Sequence, residues 1–427
     1  MKKFLSIALA ALMIISCALV FSSCSSSSGD SDAKTAYIIA EKGDTYSLGL
    51  SNNFKTAFEA KGGKTVMETF PANTTNFSDY LQKALDINAD VIFAPNSTTV
   101  AANLLKNAND LGIECPILAG DTWESSVILD AVKGTDLEVY VSTFFDESDS
   151  SSPAAADFVS GFKAYLKANQ EYYDMNGGND IVAAVSALGF DAYNLAVKAI
   201  RDAADQKGED LTSIDIANAL WAIKYEGGVT GSIVFDKNGD AIKDSAYIKK
   251  AASDGSKFEF KKLQTVANDA AQGTPADYSG STGVKLDTAN KKIVIGVYEP
   301  TSGNNAAGGK QEVLGIYYAN SLDNKITIGG SEYTVELYVS DNGSLEENAA
   351  TAASKIVSEN ALVSLGSYGS GVSIAAASTF ESAGIPAIGI SCTNASVTEG
   401  HKFYFRTCFL DPFQGSVMAD FAFELIK

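Results

Sequence analysis

An alternation of short β-branched runs with helix-period segments occurs twice, and it constrains the fold of this chain more than any other feature. The strand-like runs are 36–41, 64–70, 90–94 and 116–120 in the first half, and 293–298, 333–339, 361–366 and 386–390 in the second. The helix-period segments between them lie around 46–61, 77–87, 98–111, 310–321, 345–358 and 372–383. Such winding predicts an α/β fold with parallel sheets flanked by helices.

The two halves match in spacing as well as in order. Gly112 follows Ala89 by 23 positions, and Gly384 follows Ala361 by the same 23. Each glycine is followed by an isoleucine and, shortly after, by a proline. We therefore predict two lobes of the same topology.

The region between the halves has a different character. Residues 150–226 are mostly helical in pattern, and 231–263 predict antiparallel strands with a turn at Asn238-Gly239. Residues 264–290 are small, polar and aperiodic, which predicts a linker. Ligands of open parallel sheets bind beyond the carboxyl ends of the strands, so two facing lobes predict a central cleft.

Charge and residue counts narrow the function classes. With 32 Lys+Arg against 52 Asp+Glu, the net charge is −20, which disfavours nucleic acid or an anionic membrane surface as a partner. One histidine and five scattered cysteines do not provide a His-rich metal site or a Ser-His-Asp triad. We therefore expect no catalytic residues, no metal and no cofactor.

Residues 1–23 predict an export signal. Two lysines precede an apolar run that closes on Ser22-Ser23-Cys24. This ending resembles the lipobox of bacterial lipoproteins, which implies lipidation of Cys24. Cys17 is a weaker candidate because its apolar run would be short, and a plain secretory signal is the alternative. Residues 24–34 then make a Ser-rich tether, so we expect an extracytoplasmic protein that meets the cell membrane, at the cell surface or in the periplasm, only through its lipid anchor.

Three cysteines remain outside the leader: Cys115, Cys392 and Cys408. Their odd number and the lack of CxxC spacing indicate neither a disulfide framework nor a zinc site, and one bridge at most. We favour three small buried apolar residues.

One stretch carries a family resemblance. Residues 366–398, GSYGSGVSIAAASTFESAGIPAIGISCTNASVT, resemble the ligand-binding stretch of type I periplasmic binding proteins of the leucine/isoleucine/valine branch, which feed ABC importers. Residues 294–315 and 403–421 resemble adjoining family segments, and 35–263 resemble its later ones. The resemblance implies two Rossmann-like lobes with a hinge and a central cleft. It also implies a monomeric receptor that closes on an amino acid, expected to be aliphatic or branched-chain, and delivers it to a permease.

The family's segments stand here in a different order. What the family places last comes first, and its N-terminal half follows the linker. We interpret this as a circular permutation in which 264–290 joins the ancestral ends; a mosaic of two half-domains is the rival interpretation. The permutation predicts that Lys34 and Lys427 lie close together, and it places the hinge near 143–150 and 226–231. Its lobe 2 comprises 35–143 and 231–263, and its lobe 1 comprises 149–226 and 291–427.

The resemblance also implies which residues hold the ligand. Ser370 and Thr393 would bind the α-carboxylate through their hydroxyls and neighbouring backbone N–H groups. The carbonyl of Ser391 would accept from the α-ammonium. Asp121 would pair with that ammonium, and by the internal repeat it occupies a strand end equivalent to that of Ser391.

Three aromatic residues complete the expected site. Tyr46 matches the family tyrosine that closes over the ligand, while Tyr368 and Trp123 are candidates for the side-chain pocket. The chain departs from the family at Gly308, where an aromatic often stands, and at Ser97, where a tyrosine can stand. Because both changes remove bulk, we expect a wider pocket that admits a larger or more polar ligand.

Three function classes stay open on these residues. The first is a solute receptor of an ABC importer, and the second is a sensing module that binds an amino acid or small amide and signals to a partner. The third is an extracytoplasmic enzyme, which the lack of a nucleophile–base pair disfavours.

Overall fold

The computed structural model describes residues 33–149 and 152–426. The predicted export signal, the lipidation site Cys24 and nearly all of the tether lie outside the described residues, as does Lys427. Among the described residues, no helix combines the length and the apolar composition that crossing a bilayer would require.

The first sheet belongs to lobe 2 and has the order β2-β1-β3-β4-β5-β6-β7. Neighbouring strands from β2 to β5 pair in parallel, and β6 and β7 add an antiparallel edge. The strands are β1 (Thr35–Glu41), β2 (Lys64–Phe70), β3 (Val91–Phe93), β4 (Ile117–Ala119), β5 (Val139–Thr143), β6 (Ser245–Ala251) and β7 (Phe258–Thr265).

The second sheet belongs to lobe 1 and has the order β13-β12-β11-β8-β10-β9. Its strands are β8 (Lys292–Glu299), β9 (Lys325–Ile328), β10 (Ser331–Asp341), β11 (Val363–Leu365), β12 (Ala387–Gly389) and β13 (Tyr404–Arg406). Only β9 runs antiparallel to its neighbour. Without the β9 hairpin, each sheet places its first strand between its second and third, which confirms the predicted repeat of topology.

Helices cover the faces of both sheets. They are α1 (Thr45–Ala60), α2 (Ser78–Asp86), α3 (Thr98–Leu111), α4 (Ser126–Val132), α5 (Pro153–Ala168), α6 (Gln170–Met175), α7 (Ala184–Lys207), α8 (Ser213–Ala222), α9 (Ala306–Leu322), α10 (Glu346–Ser358), α11 (Ser370–Ala383) and α12 (Asp411–Leu425). The repeated glycines Gly112 and Gly384 terminate α3 and α11 in the left-handed conformation, with φ of 66° and 64°. A glycine takes this conformation without steric cost, which explains the matched spacing.

Helix α12 crosses from one lobe to the other. Helix α12 follows β13 of lobe 1, yet its Phe423 and Phe421 rings pack against Phe58 and Tyr140 of lobe 2, at 4.6 and 5.2 Å between ring centroids. The sequence-based range for lobe 1 included this helix. Helix α7 packs on α9 within lobe 1, where Ser186 Oγ donates to the Gln311 carbonyl at 2.8 Å. The crossing of α12 joins the two lobes.

The predicted linker is extended chain that packs along lobe 1. Strand β7 extends over the first two residues of the predicted linker. Among the described residues, no helix or strand follows it until β8. Tyr278 is buried and accepts a hydrogen bond from Trp221 Nε1 at 2.8 Å, and Leu286 N donates to the Leu211 carbonyl at 3.0 Å.

The three described cysteines are free thiols. Cys392 and Cys408 are buried as expected, whereas Cys115 is only half-buried. Burial raises the pKa of Cys115 and of Cys392 to about 11, which favours the protonated thiol at neutral pH.

Candidate ligand-binding site

The carboxyl ends of both sheets face each other, and the lobes touch across the gap. Tyr368 OH donates to the Thr122 carbonyl at 3.4 Å, and Asn394 Nδ2 donates to the Thr45 carbonyl at 3.3 Å. A third contact joins Thr99 Oγ1 to the carbonyl of Asn304 at 3.2 Å. The structure is therefore a closed arrangement of the two lobes.

Asp121 lies at the centre of this interface. It follows β4 and is 2% exposed, and its Oδ1 accepts from Tyr46 OH at 3.1 Å and from Gln414 Nε2 at 2.9 Å. Its Oδ2 and the Oε1 of Gln414 have no hydrogen-bond partner among the described residues. Burial raises the pKa of Asp121 to about 6. The site thus holds two buried acceptors on adjacent side chains that receive no donor from the part of the chain that the structure describes.

Gln414 is a residue that the sequence reasoning missed. It belongs to α12, which crosses from lobe 1, and its Nε2 also donates to Ser142 Oγ at 3.0 Å. In the sequence, a glutamine on a mostly apolar helix does not indicate a binding residue. Its place in the site follows from the packing of α12 beside Asp121.

The start of α11 forms the opposite side of the site. Ser370 is the first residue of this helix, is 2% exposed, and accepts a hydrogen bond from Asn394 N at 3.2 Å. Thr393 is fully buried, and its hydroxyl lacks a hydrogen bond of good geometry. The N–H groups and dipole of a helix N-terminus favour an anion at this end.

Asp411 is a second carboxyl on this side. Burial raises its pKa to about 7, which the nearby Thr393 hydroxyl partly offsets. Its Oδ2 accepts from Asn394 Nδ2 at 3.2 Å, and Oδ1 has no good hydrogen bond among the described residues. Asp411 also escaped the sequence reasoning, since Asp-Pro at a helix start indicates no more than a cap.

A buried pair of glutamates was missed as well. Glu299 ends β8 and accepts from Tyr368 N at 2.8 Å; Glu312 projects from α9 and accepts from the Ser391 hydroxyl. Both are fully buried and lie beside each other. Burial raises the pKa of Glu312 to about 8, and burial with the neighbouring Glu312 charge raises that of Glu299 well above its usual value. The pair therefore holds at least one proton at neutral pH.

Tyr368 corrects the expectation of a wider pocket. A methyl group built on Gly308 would overlap the Tyr368 ring, so the ring fills the space that the glycine leaves. A cavity of about 50 Å³ remains between the lobes, lined in part by Tyr46, Ser97 and Ser370. The loss of bulk at Gly308 therefore does not widen the closed pocket.

Trp123 lies apart from these residues. Its side chain is fully buried in the core of lobe 2, and Nε1 donates to the Asn96 carbonyl at 3.1 Å. The structure thus brings Tyr46, Asp121, Tyr368, Ser370, Ser391 and Thr393 to one interface and places Trp123 behind it.

Comparison with known proteins gives one family. A family model described as periplasmic binding protein matches residues 26–256 and 292–425. An amino acid binding protein of Pseudomonas aeruginosa is 32% identical over 137 residues, which cover 32% of this chain and 36% of that protein. The Leu/Ile/Val-binding protein homolog 1 of Brucella abortus is 28% identical over the same length. The chain spans about a third of the length of the curated relatives it matches.

Solved structures give matches of the same kind. A leucine binding protein from Thermotoga maritima is 28% identical, with 55% of this chain and 61% of that chain covered and a TM-score of 0.45. A branched-chain amino acid transporter substrate binding protein from Streptococcus pneumoniae, in complex with isoleucine, is 22% identical, with 55% and 60% covered and a TM-score of 0.41.

Proposed function

The chain belongs to the periplasmic binding protein family and has its type I two-lobed fold, and from this premise we propose that it captures an α-amino acid between its lobes and delivers it to an ABC permease. The family resemblance makes an aliphatic or branched-chain side chain the first expectation. Relatives named as amino acid and Leu/Ile/Val-binding proteins support the amino acid assignment.

One observation carries the proposal: acceptors and anion-binding groups lie on opposite sides of the cleft. Asp121 Oδ2 and Gln414 Oε1 are buried and receive no hydrogen bond from residues 33–149 and 152–426, which suits an ammonium group. Ser370 begins α11, and Thr393 directly precedes Asn394, whose N–H donates to Ser370 Oγ; hydroxyls beside a helix N-terminus suit a carboxylate. An α-amino acid carries both groups on one carbon.

Binding and closure are coupled in this proposal. Asp121 and Tyr46 belong to lobe 2, whereas Ser370 and Thr393 belong to lobe 1. A ligand that contacts both sets binds the closed form better than the open form, so it shifts the population toward closure. Hinge motion at the crossovers near 143–150 and 226–231 would open the cleft.

We further propose an extracytoplasmic position with lipidation at Cys24. The export signal and the tether up to residue 34 support this, together with the family's periplasmic description. The anchor would hold the two lobes near the permease while the tether lets them move.

Calorimetric titration tests the proposal. The protein from Ala33 onward, stripped of bound ligand by unfolding and refolding, is titrated with the twenty common amino acids and with the α-keto acid and amine analogues of any that bind. We expect saturable binding of at least one amino acid and at least tenfold weaker binding of both analogues. Equal affinity for an amino acid and its keto acid, or no binding across the panel, would contradict the proposal.

A further inference from the structure

Four carboxyl groups lie at the closed interface with at most 2% exposure: Asp121, Glu299, Glu312 and Asp411. The charges of these carboxyls affect one another's pKa values, and three of the carboxyls also affect the pKa of Tyr368. The Asp121 charge raises the pKa of both Glu312 and Asp411, and the buried Tyr368 phenol lies near Asp121, Glu312 and Glu299 together. The carboxyls of both lobes therefore converge on one small volume.

The buried cations near this volume are already engaged by other groups. Lys249 forms ion pairs with Glu124 and with Asp146, the latter at 3.2 Å. Arg406 pairs with Asp240 and donates to the carbonyls of Cys392 and Asn394 at 2.7 and 2.6 Å. Among the described residues, neither the glutamate pair nor Asp121 forms an ion pair.

Several buried oxygen atoms of this region receive no hydrogen bond from the described residues. Asp121 Oδ2, Gln414 Oε1, Asp411 Oδ1 and one oxygen of each glutamate have no hydrogen bond of good geometry among the described residues. The two glutamate oxygens can share a proton, and the Thr393 hydroxyl can serve Asp411. All of these side chains are more than nine-tenths buried. The interior is thus rich in acceptors and poor in donors.

A neutral amino acid does not correct this imbalance. Its ammonium group suits Asp121 and Gln414, and its carboxylate suits the start of α11, so neither group serves the glutamate pair. The Glu312–Glu299 pair then remains buried with no cation, which is costly unless it stays protonated.

We propose that the ligand carries a second cationic group and that Glu312, supported by Glu299, receives it. The ligand is then a basic amino acid with a side-chain amine or guanidinium. Ser391, which donates to Glu312, lies two residues from Thr393 and so connects the side-chain site to the carboxylate site. This inference rests on the proposed function and replaces its aliphatic expectation.

The test compares lysine with norleucine, which has the same carbon skeleton without the ε-ammonium. Calorimetric titration at pH 7.5 should give at least tenfold tighter binding of one of lysine, ornithine or arginine than of norleucine or leucine. Glu312→Gln should lower the ratio of lysine to norleucine affinity to less than threefold. Glu347→Gln removes an exposed carboxyl on α10 and should leave the ratio as it is.

Proton linkage gives a second measurement that does not depend on a variant. The groups facing Glu312 are Glu299, Asp121, Tyr368 and Cys392, none of which is cationic. A cationic side chain should ionise the pair and release a proton at pH 7, whereas norleucine should not. Titration in phosphate and in Tris buffer measures this release.

The outcomes separate the inference from the proposed function. Tight binding of leucine or norleucine with weaker binding of every basic amino acid would overturn the inference and leave the amino acid receptor in place. Binding of no amino acid would overturn both. If circular dichroism shows that Glu312→Gln does not fold, the wild-type comparison of lysine with norleucine and the proton release still test the inference.

Discussion

Asp121 is the residue on which the proposed ammonium site depends. Asp121→Asn keeps the shape of the side chain but replaces the charged partner of the ligand, so we expect amino acid binding to weaken by about 2–5 kcal/mol. Calorimetric titration measures this loss. Asp130→Asn, at an exposed position on α4, is the matched control and should bind as the wild type does. Wild-type affinity in Asp121→Asn would remove this residue from the site.

Thr393 tests the carboxylate side of the same ligand. Its buried hydroxyl has no good hydrogen bond among the described residues, so Thr393→Ala should weaken binding by about 1–3 kcal/mol through loss of a charge-assisted bond. Ser396→Ala, three residues on and exposed, serves as the control in the same titration. An unchanged dissociation constant in Thr393→Ala would contradict the assigned role.

The sequence indicated those candidate site residues that follow directly after strands of the parallel sheets. Ser370 follows one strand end and Asp121 follows another, and strand ends of parallel sheets meet at one edge. Gln414 and Glu312 belong to helices, where nothing local reveals that a side chain faces the cleft. Trp123 illustrates the reverse error, since its neighbour Asp121 faces the cleft while its own ring enters the core of lobe 2.

At the scale of elements, helix α9 is held against α7 at short range. A methyl group on Gly315 would overlap the Ser186 carbonyl, and one on Gly189 would overlap the carbonyl of Glu312. Both obstacles are backbone atoms, which cannot rotate away. The position of Glu312 in the cleft thus depends on this close helix crossing.

We expect Gly315→Ala to destabilise the protein by about 1–3 kcal/mol, because the two helices must separate. Urea denaturation measures the free energy of unfolding. Gly227→Ala is the control, since its added methyl group would make only ordinary contact with Tyr225. Equal stability of Gly315→Ala and the wild type would show that the crossing tolerates a methyl group.

Element prediction succeeded where period and termination signals agreed. The helical pattern at 345–358 matches α10, and the pattern at 372–383 matches α11 to within two residues. Helix α9 begins at Ala306, four residues before the predicted start, because Gly308 and Gly309 hide the helical pattern. Strand β9 was missed, although Gly329-Gly330, both with positive φ, is a signal for a two-residue hairpin.

At the scale of the whole molecule, buried carboxyls determine how stability changes with pH. Burial raises the pKa of Asp121 and of Asp191 to about 6, of Asp411 to about 7 and of Glu312 to about 8. Between pH 5 and 8 the folded state therefore binds more protons than the unfolded state, in which carboxyls titrate near pH 4. Stability must then fall as pH rises.

The ligand-free protein should be more stable at pH 5.5 than at pH 8.0 by several kcal/mol. Urea denaturation at the two pH values measures the difference. Asp411→Asn removes one of the contributing groups and should reduce it. Burial lowers the pKa of Lys243, which by itself makes stability rise with pH, but Lys243 is one group against several carboxyls. Greater stability at pH 8.0 would mean that these carboxyls are solvated in the free protein.

The order of the family segments in the sequence and the position of the chain ends in the structure support the same proposal, a circular permutation. Lys34 Nζ donates to the Phe423 and Ile426 carbonyls at 2.5 and 2.6 Å, so the start of β1 lies beside the end of α12. The mosaic interpretation gives no reason for this proximity. Neighbouring ends are what a rearranged single domain requires.

A reordered chain tests the permutation directly. It would begin at Gly280, run to the end of α12, continue through a short Gly-Ser joint into Lys34 and end at Ser279. The new ends fall at exposed positions of the linker, and the buried Tyr278 and Leu286 keep their contacts, so we expect a thermal midpoint within a few degrees of the wild type and the same ligand affinity. A chain opened between Ala192 and Tyr193, inside buried helix α7, is the control and should not fold. Loss of folding in the Gly280 chain would favour the mosaic interpretation, because a permuted domain tolerates a return to its original order.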